Sequence, residues 1–192
     1  LLLQRKPPFQ PWTPAEKDDL SQRGLSKPRA DGAGDMPFPF AEELPYTLPE
    51  KLQKGEPYPI DTLWVYYTNP LFNLPESEML RRALEKVPFI ISFSPFMDET
   101  TLSSDLVLPD GTYLERWQDD AVEPGHGFPM FGLRSHAIEP LLYDVRNTGD
   151  VLIQIAKGLG GSVARSFPWK DFQEALKDSI KGVFRSKRGS IK

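Results

Sequence analysis

Three polar clusters in the middle of this 192-residue chain could carry chemistry. Thr68-Asn69-Pro70 follows a β-branched and aromatic run, Thr62 to Tyr67. Asparagine offers both a donor and an acceptor and tolerates unusual backbone angles, so it suits a phosphate or a ribose. The same Asn-Pro pair is also a common turn initiator. Ser92-Phe93-Ser94-Pro95 closes a second apolar run; a hydroxyl there could hydrogen-bond a guanine or a ribose, or simply close a loop. Asp98-Glu99-Thr100 with Asp105 gathers three carboxylates. These could act as acid–base groups or hold magnesium. They could equally cap short elements, with Asp105 pinning the loop before a strand.

The elements that must position these clusters are legible around them. Thr62-Leu63-Trp64-Val65-Tyr66-Tyr67 reads as a buried strand bounded by Asp61 and Asn69-Pro70. Pro75 is set to open a helix, with Glu76 and Glu78 in its first turn and Lys86 near its end, an order that suits the helix dipole. Met79, Leu80, Ala83, Leu84 and Val87 give that helix one apolar face. Pro88 stops it, and Phe89-Ile90-Ile91-Ser92-Phe93 is a second strand. Strand, helix and strand make a βαβ unit, which predicts parallel strands and a right-handed crossover. The carboxyl ends of both strands, with Asn69 and Ser94, then share one edge, where open α/β sheets bind ligands. Asp98 should cap a short helix before a third strand, Leu106-Val107-Leu108.

Further along, Met130 to Leu133 is expected to be extended. Thr148 is expected to cap a helix carrying Val151, Leu152, Ile155, Ala156 and Leu159 on one face, ended by Gly158 and Gly160-Gly161. One last helix is expected from about Trp169 to Phe184. The fold class is therefore α/β: a small parallel sheet with a βαβ crossover and flanking helices, spanning residues 60–192. Ahead of it lies a different stretch. Eleven of the twenty prolines precede Asp61, so residues 1–59 are expected to be a Pro-rich extended or loop segment. A short helix could start near Thr13-Pro14, and Phe38, Phe40 and Tyr46 point to a strip lying on a neighbour.

Composition narrows the function classes. A formal net charge of −4 and a pI near 5.3 argue against a nucleic-acid partner. Arg185, Lys187, Arg188 and Lys192 read as a solvated tail. Cysteine is absent, so disulfides, thiolate metal ligation and a cysteine nucleophile are excluded within this stretch. His126 and His136 have no ligand spacing. No glycine-rich phosphate loop is visible. No run approaches the roughly 18 apolar residues of a membrane helix, so direct membrane insertion is not expected. Leu1-Leu2-Leu3 lacks the flanks of a secretory leader. The start without methionine reads either as a cut through a longer polypeptide or as a trimmed chain.

The order of the motifs resembles the molybdopterin oxidoreductases, the dimethyl sulfoxide reductase superfamily of bis-pterin molybdenum or tungsten enzymes. The matching residues are Asn69-Pro70, Glu99-Thr100, Asp105, Leu108-Pro109 and Leu114-Glu115-Arg116. Ile138-Glu139-Pro140, Asp144-Val145-Arg146, Asp150-Val151-Leu152 and Ala156-Lys157-Gly158-Leu159-Gly160 continue it. The likeness covers roughly residues 58–175 and is nearest the polysulfide reductase-like branch. It implies a fragment of a catalytic subunit that helps hold a molybdopterin guanine dinucleotide, with Thr68, Asn69, Pro70, Phe93 and Ser94 at the nucleotide end. It implies no catalytic residue or metal ligand in this stretch, because the family's iron–sulfur cysteines and metal ligand lie upstream. The implied partners are the remainder of the parent polypeptide, with iron–sulfur and membrane-anchor subunits, in a periplasmic or membrane-associated setting. Tyr67 stands where the family often has glycine, Ser94 where aspartate is frequent, and Ser104 where alanine precedes the aspartate. Tyr67 and Ser94 keep open the alternative of a cofactor-free structural domain of a quinone-linked respiratory complex; a third hypothesis, an unrelated α/β binding module, runs against the order of the motifs.

Overall fold

The computed structural model describes residues 17–33, 40, 44–122, 130–139 and 144–185. The expected helix near Thr13-Pro14, Phe38, the His126 loop and the basic residues beyond Arg185 lie outside the described residues. The chain divides into two compact units, Lys17–Asp110 and a second that holds the described residues from Gly111 onward.

The first unit is built on a three-stranded parallel sheet of order β1-β2-β3, with β1 at Thr62–Tyr66, β2 at Phe89–Ser94 and β3 at Leu106–Pro109. Among the described residues, two short α-helices precede it. Helix α1, Asp19–Leu25, is capped by the Asp18 carboxylate and buries nothing. Helix α2, Leu48–Lys54, follows a 3-10 turn at Pro45–Thr47. Both helices lie within residues 1–59, expected to be a Pro-rich extended or loop segment. Proline in the first turn is compatible with a helix, and Gly55 at φ 67° closes α2 in the left-handed region that glycine adopts freely.

Between β1 and β2 the chain forms two helices, α3 (Pro70–Asn73) and α4 (Ser77–Leu84), not one helix opened by Pro75. Pro75 forces Leu74 into an extended conformation, which ends α3. Glu76 then turns at φ 59° before α4 starts. Alternation along β1 and β2 sends Leu63, Val65 and Ile90 to one face, where they pack with Leu52, Leu71, Leu80, Ala83, Leu84 and Val87. Burial of a leucine such as Leu80 stabilises the unit by about 2 kcal/mol. Lys86 donates to the Gln53 carbonyl at 2.8 Å and so ties the end of α4 to α2. The opposite face carries Trp64, Tyr66, Phe89 and Leu106, all of them exposed.

In the second unit, β4 (Gln118–Val122) pairs antiparallel with β5 (Met130–Arg134). Helix α6, Thr148–Leu159, is capped by Asn147, whose side chain accepts from the Gly149 N–H at 2.8 Å; Thr148 is its first residue and is buried. Gly160 closes it at φ 70°. Helix α7 spans Gly161–Ser166. The expected single last helix is two, α8 (Phe172–Ser179) and α9 (Lys181–Arg185). Trp169 lies ahead of α8 and packs with Ile153 and Ala175. Its indole N–H donates to Asp178 at 3.2 Å.

Candidate functional site

Parallel pairing sets Tyr66 against Phe93 and Ser94 against Pro109, so the loops leaving β1 and β2 emerge on one edge of the sheet. Asn69 and Ser94, predicted to share that edge, do so. A short helix after β2, α5 (Glu99–Leu102), lies beside them; the Asp98 carboxylate caps it by accepting from the Thr101 N–H at 2.8 Å.

Asn69 is the most connected of the predicted residues. Its Oδ1 accepts from the Thr100 hydroxyl at 2.7 Å and from the Thr100 N–H at 3.3 Å. Its Nδ2 donates to Glu99 Oε2 at 2.6 Å. The Thr100 hydroxyl in turn accepts from the Leu71 N–H at 3.1 Å. Thr100 and Leu71 are buried, whereas Glu99 is exposed. The hydrogen bond from Asn69 holds the Glu99 carboxyl below its ordinary range, aided by a backbone N–H and by the nearby Arg81. A lowered value means that Glu99 is an ionised acceptor at neutral pH.

Ser94 behaves differently. Its hydroxyl donates to the Phe96 carbonyl at 3.0 Å and accepts from the Phe96 N–H at 3.1 Å, closing a turn within its own loop. Phe93 is buried and tilts against Trp64, with ring centroids 5.6 Å apart. Thr68 is exposed, and Pro70 is the first residue of α3. The three carboxylates weighed for magnesium take separate tasks: Asp98 caps α5, Glu99 receives Asn69, and Asp105 accepts from the Ile90 N–H at 2.7 Å. His136 is exposed and lies 3.2 Å from Glu139.

Two features of this edge were not read from the sequence. The buried Ser92 and Thr101 hydroxyls meet at 2.9 Å and tie β2 to α5; Ser92 sits on the helix-covered face of its strand, a position that alternation alone could have flagged. Tyr67 adopts φ 53°, a left-handed conformation that glycine takes at little cost and tyrosine rarely does. It still donates its N–H to the Phe93 carbonyl at 2.9 Å, extending the β1–β2 ladder past the strand end.

The first unit is a parallel sheet whose strand-end loops gather at one carboxyl edge, and comparison with known proteins gives the chain a family. The family model for molybdopterin oxidoreductase matches residues 29–157. The chain belongs to that family. It is 35% identical over 113 residues to the menaquinone reductase, molybdopterin-binding-like subunit of Nitratidesulfovibrio vulgaris, covering 59% of this chain and 16% of the relative. It is 24% identical over 182 residues to the arsenate respiratory reductase molybdopterin-containing subunit of a Shewanella species, covering 90% of this chain and 21% of that one. Among solved structures, acetylene hydratase from Pelobacter acetylenicus shares the fold, with a TM-score of 0.62 at 22% identity over 73% of this chain and 19% of that chain. The chain thus spans about a fifth or less of the relatives it matches.

Proposed function

We propose that this chain is a module of a longer molybdopterin oxidoreductase subunit and that its sheet edge frames the nucleotide end of a molybdopterin guanine dinucleotide carrying molybdenum or tungsten. The observation that carries this reading is the parallel β1–β2 pair, which brings the Asn69 and Ser94 loops to one edge. The donor set is compatible with a dinucleotide: Thr68 is exposed, and Asn69 keeps one amide hydrogen beyond its bond to Glu99. Pro70, Phe93 and Ser94 would shape the edge through backbone direction and packing. When bound, the metal–dithiolene centre supplies the oxidoreduction, and the protein's part is binding and orientation. Iron–sulfur and membrane-anchor subunits would be the partners of such a parent, in a periplasmic or membrane-associated complex.

A second reading is favoured by particular observations. The Ser94 hydroxyl already donates its one proton to the Phe96 carbonyl, both lone pairs of Asn69 Oδ1 are engaged, and Tyr67 holds its side chain at a left-handed turn. A cofactor-free structural domain would have such an edge, and one relative is named molybdopterin-binding-like. Metal and pterin analysis of the purified full-length parent decides between the two. Near-stoichiometric molybdenum or tungsten with released guanine dinucleotide is expected from the first. A parent that assembles with its partner subunits free of metal would sink it and leave the structural domain.

A further inference from the structure

The loop after β1 and the helix after β2 are far apart in sequence, yet joined by a closed set of hydrogen bonds. Asn69 accepts twice from Thr100 and donates once to Glu99, and Thr100 reaches on to the Leu71 N–H. Helix α5 has four residues, too few to persist unsupported. Its buried hydroxyls are its anchors: Thr101 to Ser92 in β2, and Thr100 to Asn69 and Leu71 at the start of α3.

We infer that Asn69, Glu99 and Thr100 form a clamp between the loop after β1 and helix α5, in which Asn69 is a positioning residue that sets the spacing of the two. The clamp belongs to the chain itself and holds whether or not a dinucleotide binds there. Its chemistry depends on polarity. The carboxamide presents an acceptor to Thr100 and a donor to Glu99, and no other side chain of that length does both. A shift of the loop after β1 is therefore passed to helix α5, and a shift of α5 to that loop.

That polarity supplies the test. Asn69→Asp keeps the acceptor toward Thr100 but sets a carboxylate against the ionised Glu99, which breaks the clamp. Adding Glu99→Gln restores it with donor and acceptor exchanged, because the glutamine amide can donate to the new aspartate. Hydrogen exchange by mass spectrometry on the full-length parent would follow peptides covering residues 67–73 and 96–104. Asn69→Asp should speed exchange in both peptides together by about tenfold, and the double variant should return both to near wild type. Acceleration confined to 67–73, or no rescue by Glu99→Gln, overturns the clamp. Should Asn69→Asp fail to accumulate, Thr100→Val against Thr100→Ser reads the same linkage. The valine variant should loosen both peptides and the serine variant neither; loosening of 96–104 alone overturns it.

Discussion

The two loops at the carboxyl edge of the sheet solve the same problem in opposite ways. The loop after β2 closes on itself, Ser94 bonding Phe96 two residues on. The loop after β1 is held from outside, by Glu99 and Thr100 about thirty residues away. A self-closed loop keeps its shape when its surroundings move, whereas a cross-linked loop carries movement to its partner. Residues that look alike in sequence, a small polar group before proline at a strand end, thus differ in whether their effects stay local. The difference sets the order in which perturbations should matter.

The largest effect should come from Thr100→Val. The valine is close in shape but leaves the Leu71 N–H, next to the buried Leu71 side chain, without its acceptor, and takes a donor from Asn69. An unsatisfied buried amide together with the lost bond should cost about 2–3 kcal/mol in urea unfolding of the full-length parent. Retention of wild-type stability would mean that the cross-linked loop holds no better than the self-closed one.

Ser94→Ala should cost less, about 1 kcal/mol, since only one local turn is lost. Its signature is confinement. Exchange should rise near Phe96 and remain unchanged at residues 67–73. A response in the β1 loop would erase the contrast between the two.

Tyr67→Gly should be smaller still and of opposite sign for the backbone. At φ 53° a glycine relieves about 1 kcal/mol of strain, offset by its greater freedom in the unfolded chain and by loss of the Tyr66–Tyr67 ring contact at 5.9 Å. The net expectation is a melting temperature within a few degrees of wild type. A large loss would show that the tyrosine ring, not the backbone turn, is what the edge requires.

What could be read from the sequence follows the range of the forces involved. Strands β1 to β3, the Asp98 cap and the apolar face of α4 rest on neighbours a few residues away, the parallel pairing of β1 with β2 on the βαβ order, and these were legible. Asn69 and Glu99-Thr100 were each singled out, but nothing in a single sequence says that they touch. That contact exists only once Thr62–Tyr66 and Phe89–Ser94 lie side by side. Strand β4 was missed because Asp119 and Asp120 are poor strand formers, overridden by pairing with Gly132 and Leu133. The break of the last helix at Ile180 was hidden by an apolar periodicity that runs straight through it.

The smallest effect concerns pH and isolates one bond of the cross-linked loop. The Glu99 carboxyl is held below its ordinary value mainly by the hydrogen bond from Asn69, with its own backbone N–H and Arg81 contributing. A carboxyl lowered on folding contributes stability that is fully present above its unfolded value, about 4.3 for glutamate, and is lost as pH falls through the lower folded value. Glu99 is exposed, so solvent screens the interaction and the contribution is modest. Glu99→Gln keeps an acceptor for Asn69 but cannot titrate. The stability difference between wild type and Glu99→Gln should therefore be constant at neutral pH and shift toward the glutamine variant only on acidification below the ordinary glutamate range. Ser94→Ala, measured alongside, should track wild type across the same pH range, because no ionisable group takes part in the turn it removes. Parallel curves for wild type and Glu99→Gln throughout would show that the ionised form of Glu99 adds nothing to the bond with Asn69.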